Sequence, residues 1–283
     1  MTETSATVTR PDWADGMTDL HVHSSPSLMP RHGDDRQTVL AERAEGVGTV
    51  LLKSHEGSTV ERAALAGDGV YGGIVLNSGI GGANPDAVEV AGRLGGRVVW
   101  MPTVSSRTHQ AASASPELAV HRGFQLRAVD VVDDGRLRPE WYDVLDAVAR
   151  HDMVLASGHL SVEETAVVFT EARRRGVERL LVNHPKMPFL HWSDPVGRTL
   201  QDLGAHLELG ILPDLLGGPG HQSLELIDLY PTSLLAFGSD LGHAGHPAPA
   251  DIMPSWLQAL ERLVGARDAR RITSSGSHQL LVG

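Results

Sequence analysis

The sequence contains no cysteine, which excludes disulfides and thiolate ligands, so any metal it holds must be bound by imidazole and oxygen. No apolar run approaches the roughly 18 residues needed to cross a bilayer, and residues 1–10 lack the apolar segment of a secretory leader. Both absences lead us to expect a soluble, cytoplasmic protein with no membrane partner. Basic charge is short as well: 24 Lys and Arg stand against 35 Asp and Glu, for a formal net charge of -11. A nucleic-acid partner is therefore not expected, because such proteins usually carry a basic face. A small-molecule substrate is the expected partner, with homo-oligomerisation left open.

What the chain does have is enough apolar material for a sizeable core, 41% of 283 residues, and 15 histidines. We read 1–283 as a single domain. Short β-branched runs alternate with amphipathic helical segments, the pattern of a parallel sheet covered by helices. Eight strands are predicted, at 17–23, 49–55, 70–77, 97–103, 153–159, 179–184, 206–212 and 234–240. The expected fold is thus α/β, a (β/α)8 TIM barrel. Helix starts are marked by the capping boxes Ser58-x-x-Glu61 and Ser161-x-x-Glu164 and by the pairs Asn84-Pro85 and Asp194-Pro195. Gly46, Gly176 and Gly204 mark helix ends. One connection, 104–138 after the fourth strand, is far longer than the rest; it includes an expected extra strand at 126–132 and the turn Asp133-Asp134-Gly135. We read it as an inserted lid, since long loops in compact domains tend to be functional.

In such a barrel the site forms at the C-terminal ends of the strands. Asp19-Leu20-His21-Val22-His23 ends the first strand, and alternation puts His21 and His23 on one face, able to reach one ion. Lys53, His55, Asn77, Thr103, His159, His184 and Asp240 occupy the same end of later strands. Imidazole and carboxylate suit a divalent cation, Zn²⁺ first and Mn²⁺ or Fe²⁺ as alternatives. His55, Asn77, His109 and His243 are candidate substrate contacts, and Arg31, Arg107 and Lys186 candidate anion contacts from loops. Gly79-Ile80-Gly81-Gly82 reads as a turn rather than a phosphate cradle, because the full nucleotide pattern is absent. His32, His121, His151, His191, His206, His221 and His278 are read as background. Strand parity leaves the direction of Glu208 open.

The order His21-x-His23, Gly158-His159, Asn183-His184-Pro185, Gly238-Ser239-Asp240 resembles the amidohydrolase superfamily of metal-dependent hydrolases. The resemblance spans 19–240 and implies one or two divalent metals at His21, His23, His159, His184 and Asp240. Asp240 would then move the proton of an activated water, and His184 would help polarise the scissile group. Binuclear members carry a bridging lysine or glutamate on the fourth strand, whereas Trp100-Met101-Pro102-Thr103 has neither; Lys53, on the second strand, is the lysine that carbamylation would have to turn into a metal bridge. A second resemblance ranks below the first. Asp19 to Ser27, His55 and Asp240-Leu241-Gly242-His243 look like the polymerase-and-histidinol-phosphatase type of phosphoesterase, which uses seven strands and an Asp-x-His ending. A decarboxylase or deaminase on the same barrel would use the same ligands.

Overall fold

A computed structural model describes residues 8–283. The leader expectation for 1–10 falls mostly on residues 1–7, outside the described residues. Eleven strands run in chain order among the described residues: β1 (Met17–His23), β2 (Val47–Lys53), β3 (Val70–Tyr71), β4 (Gly73–Val75), β5 (Val98–Trp100), β6 (Val132–Asp133), β7 (Arg136–Leu137), β8 (Val154–Ala156), β9 (Leu180–Val182), β10 (His206–Leu209) and β11 (Leu235–Phe237). They form a mixed α/β fold with two parallel sheets, β1-β2-β3 and β11-β10-β9-β8-β5-β4, plus the small pair β6-β7. Among the described residues no helix is long and apolar enough to cross a membrane.

The two parallel sheets share one run of chain, because Gly72 separates β3, which pairs with β2, from β4, which pairs with β5. A side chain at Gly72 would lie 2.4 Å from the Thr59 carbonyl oxygen, so only glycine allows this close approach. At the opposite edges Val22 makes a parallel bridge with Leu241, supported by Asp240 N–H to His21 O and His23 N–H to Leu241 O, each 2.9 Å.

Alternation along the strands divides the apolar side chains into two clusters. Val99, Leu155, Leu180, Phe237 and their neighbours pack outward against the helices, together with Trp141 and Phe169. Leu51, Val98, Trp100, Val154, Leu181 and Ala236 face the other way and meet Leu280 and Leu281 of the C-terminal helix Ser277–Val282. Strands buried on both faces read as near-continuous apolar runs. Fully burying one large side chain such as Phe237 is worth about 1.5–3 kcal/mol.

Most local signals act as read. Ser161 and Glu164 close their capping box, Asn84 accepts from Ala87 N–H, and Gly46, Gly176 and Gly204 take φ of 89°, 86° and 66°. Two caps differ. The second helix starts at Val60 behind Thr59, with Ser58 Oγ donating to the Glu61 carboxylate and accepting from Val60 N–H instead of closing the expected box, and Asp194 is the first helical residue, accepting from Trp192 Nε1. A box at Asp34 and Gln37 was not anticipated.

The expected extra strand at 126–132 is corrected to the two-residue hairpin β6-β7 around Asp134 (φ 45°) and Gly135 (φ 69°). The reason is local competition for the backbone: Leu126 O is taken by Gln110 Nε2 at 2.7 Å, and Val129 N–H by Ser105 O at 2.8 Å. The rest of 104–138 folds as the helix Arg107–Ala111 and the 3-10 helix Pro116–His121.

Candidate metal centre

The end of β1 and the residue following Gly238-Ser239 meet at one point. His21 Nε2 lies 3.1 Å and His23 Nε2 3.2 Å from Asp240 Oδ1, and one ligand atom from each of the three residues lies within 4.8 Å of the others. Asp240 (φ 58°) and His184 (φ 30°) both hold left-handed backbone without being glycine. Such strain costs about 1–3 kcal/mol per residue and persists where surrounding contacts impose it. For Asp240 those contacts include the bond from its N–H to His21 O.

Each imidazole is also gripped from outside. His21 Nδ1–H donates to Glu208 Oε1 at 3.0 Å, and His23 Nδ1–H donates to Lys53 O at 3.2 Å. His55 Nδ1 sits 2.9 Å from Thr103 Oγ1, and His159 Nδ1 2.8 Å from His109 Nδ1. Outer partners of this kind select the tautomer and leave Nε2 as the inward donor. Glu208 does more than hold His21, since it accepts from Asn183 Nδ2 at 2.8 Å and from His184 N–H at 3.1 Å.

The other imidazoles stand around the first group. Ring centroids are 5.7 Å apart for His21 and His184, 5.1 Å for His159 and His184, 5.0 Å for His23 and His55, and 5.5 Å for His55 and His159. Lys53 Nζ lies 2.9 Å from His21 Nε2 and 5.8 Å above the Trp100 ring.

Electrostatics sorts these groups. Burial pushes His23, His55 and His159 well below the usual histidine range and His184 down to about 4, so all four rings are neutral, as ligation requires. Burial, the largest influence on His21, would lower it, but the charge and hydrogen bond of Asp240 together with the charge of Glu208 outweigh burial and raise the ring to about 9. Burial would raise Asp240, yet the charge and hydrogen bond of His21 hold it well below the usual carboxylate range. Lys53 is lowered by burial to about 8. Neutral rings, one carboxylate and a buried His184 Nδ1 with no partner suit a divalent cation such as Zn²⁺. The proton on His21 is one that a cation would displace.

Several expected contacts land elsewhere. Asn77, expected at the substrate, is instead 1% exposed and committed inward: Nδ2 donates to His55 O and Thr103 Oγ1, while Oδ1 accepts from Thr103 and Ser105 N–H. A side-chain amide saturated by its own backbone surroundings has nothing to offer a ligand. His109, by contrast, stacks on His159 with ring centroids 4.9 Å apart and lines a neighbouring cavity with Leu118 and His121. His55 and His243 line the cavity in front of Asp240, although His243 lies outside the tight donor group and accepts from Gly245 N–H. Arg107 and Lys186 are paired with Asp130 and Glu225.

One residue, Glu208, was left without a direction, and one, His121, was missed. Glu208 stands between Leu207 and Leu209, whose outward packing puts the carboxylate on the opposite face; a lone acid between two leucines of a buried strand is the signal. His121, read as background, lines the cavity with ring centroids 4.9 Å from His55 and 5.1 Å from His109. It lies on a 3-10 turn inside a long loop, where no periodicity points to it.

The fold is similar to that of solved amidohydrolases, which is the fold the motif order led us to expect. It is similar to an amidohydrolase from Pseudomonas aeruginosa (12% identity, TM-score 0.64, 95% of this chain and 96% of that one). It is also similar to the TatD homologue YjjV from Escherichia coli K12 (14%, TM-score 0.59, 94% and 97%) and to 2,6-dihydroxybenzoate decarboxylase from Rhizobium (13%, TM-score 0.58, 94% and 98%). No curated protein matches the chain in sequence. The chain belongs to the family of unknown function DUF6282, whose model matches residues 16–208.

Proposed function

We propose that the protein is a metal-dependent hydrolase that cleaves a C–N or C–O bond of a small molecule such as an amide, cyclic amide or lactone. The observation that carries this reading is the convergence of His21, His23 and Asp240, with the outer ring nitrogens of both histidines already occupied. In this reading β1, β2, the β3–β4 run, β5 and β8 to β11 are the eight staves of one (β/α)8 barrel, and 104–138 is its lid.

His21, His23 and Asp240 would hold one divalent cation, with Zn²⁺ the best match to the donors. His159 and His184 would complete the set or hold a second ion, bridged by Lys53 if it is carbamylated. When bound, such a cation supplies Lewis acidity that brings the pKa of a water from near 16 to about 7. Asp240 takes a proton from the attacking water and returns it to the leaving nitrogen or oxygen. Glu208 and the Lys53 carbonyl keep the two rings of β1 aimed while this happens. His184 faces the same cavity and polarises the scissile group.

Metal analysis of the purified protein, followed by a screen of lactones and amides, tests this reading. Asp240→Asn, which keeps an oxygen donor toward the cation but no base, is expected to lower turnover roughly a thousandfold while metal content stays near that of the parent; loss of metal in step with activity would leave Asp240 the ligand role alone. A second reading, decarboxylation, is supported by the fold shared with 2,6-dihydroxybenzoate decarboxylase. Release of CO₂ without uptake of water into the product distinguishes it. The phosphoesterase reading loses ground because His243 is not part of the tight donor group.

A further inference from the structure

Arg31 sits in the loop between β1 and the helix Asp35–Ala44. Its backbone bridges antiparallel to His243, flanked by His32 N–H to Gly242 O at 3.0 Å and Ala244 N–H to Pro30 O at 3.1 Å. The loop that carries Arg31 is therefore zipped to the loop that follows Asp240. The side chain lines the same cavity as His23, His184 and Asp240.

A guanidinium offers five N–H donors. Arg31 uses few of them on the protein: Nε reaches Ser27 Oγ at 3.3 Å and Nη2 reaches Met29 Sδ at 4.0 Å. Among the described residues no carboxylate lies within 4.0 Å of it. Nearby Glu56 is occupied by Ser27, Leu28 and Ser54, while Arg62, Arg107 and Lys186 each have their own carboxylate. The carboxylates of Glu56 and Asp240 favour its charge from beyond 4.0 Å without touching it, so most of its N–H donors stay open to an anion that enters the cavity.

The space around it limits what that anion belongs to. The cavity in front of Asp240 offers about 40 Å³, room for a reacting group and little more. Through the shared walls of Leu118 and His121 it adjoins a cavity of about 540 Å³, lined on its apolar side by Val104, Phe124 and Leu126. Small-molecule sites fall within about 300–1,000 Å³.

We infer that the substrate is a small carboxylate whose anionic end is held by Arg31 and whose apolar remainder lies against Val104, Phe124 and Leu126. This deepens the metal-enzyme reading and rests on it. Arg31 is here a substrate-binding residue, its planar fork matched to the two oxygens of a carboxylate.

The test is titration of the purified, Zn²⁺-loaded protein with benzoate, its uncharged counterpart benzamide, and inorganic phosphate, with metal content and melting temperature measured on the same samples. Benzoate is expected to bind at least tenfold more tightly than benzamide. Arg31→Met should weaken benzoate at least tenfold and leave benzamide, metal content and melting temperature unchanged, while Arg31→Lys restores part of the loss. Equal benzoate affinity in parent and Arg31→Met, or no benzoate binding by the parent, overturns the inference and leaves the metal reading standing. Phosphate binding more tightly than benzoate in an Arg31-dependent way overturns the carboxylate assignment. A parent protein that retains no Zn²⁺ counts against the metal reading itself.

Discussion

The imidazoles that come from strand ends and those that come from the 104–138 segment are held in different ways. His21 and His23 extend from a fully buried strand, and their rings are fixed by a carboxylate on β10 and a backbone carbonyl on β2. His109 sits on a five-residue helix with its ring bonded to His159, and His121 ends a 3-10 turn with its Nδ1 buried and unpartnered. A ligand must be placed to within a fraction of an ångström, which sheet hydrogen bonds and outer partners achieve. A group that shapes a binding cavity tolerates a looser mounting, and loops supply that.

Breaking the strand-borne side should have the largest effect. Glu208→Gln keeps the size of the side chain but removes the charge that orients His21, and metal affinity should fall about 10–100-fold, read by competition with a chelator. A loss below twofold would mean that sheet geometry alone aims the ring. On the other side, His121→Ala should leave metal affinity unchanged and raise KM by about three- to tenfold once a substrate is found, with kcat less affected. A matching loss of metal would place His121 among the ligands and erase the contrast.

The smallest expected effect sharpens the role of the outer partner. Glu208 and Glu42 are both fully buried carboxyls, yet they are shifted in opposite directions. Burial would raise both, but the His21 charge and hydrogen bond bring Glu208 below its usual value, whereas Glu42 has two unpartnered oxygens and is raised well above it by burial and by Asp19. For a raised carboxyl the stabilising contribution is complete below the unfolded value of about 4.3 and is lost as pH rises through the folded value. Glu42→Gln cannot titrate. Its melting temperature should exceed that of the parent by about 3 °C at pH 8 to 9, and the gap should close toward about pH 4. A gap independent of pH would show that Glu42 stays in one protonation state.

Much of the centre was legible along the chain because its signals are linear. His21-x-His23 is a two-residue period on a strand, and His159, His184 and Asp240 each close an apolar run of a few residues, so alternation and strand ends were enough to pick them out. Asn77 passed the same filter and failed in the structure, because position at a strand end says nothing of whether the backbone nearby will claim the side chain. Glu208 was visible but undirected, and His121 was invisible. The unpaired state of Arg31 could not be read from its neighbours in sequence either, since Arg107 and Lys186 looked equivalent until their carboxylates were located.

The alternation of strands and helices, several of the caps, and the residue types that follow the strands were determined by the sequence alone, since each depends on residues a few positions apart. Which nitrogen of each ring faces inward, and which cation stays without a partner, was decided by tertiary structure. The groups that settle those questions are far away along the chain: Glu208 is 187 residues from His21, the Lys53 carbonyl 30 from His23, Thr103 48 from His55 and His109 50 from His159. No rule of local periodicity reaches that distance; only packing the strands side by side brings such pairs within hydrogen-bond range.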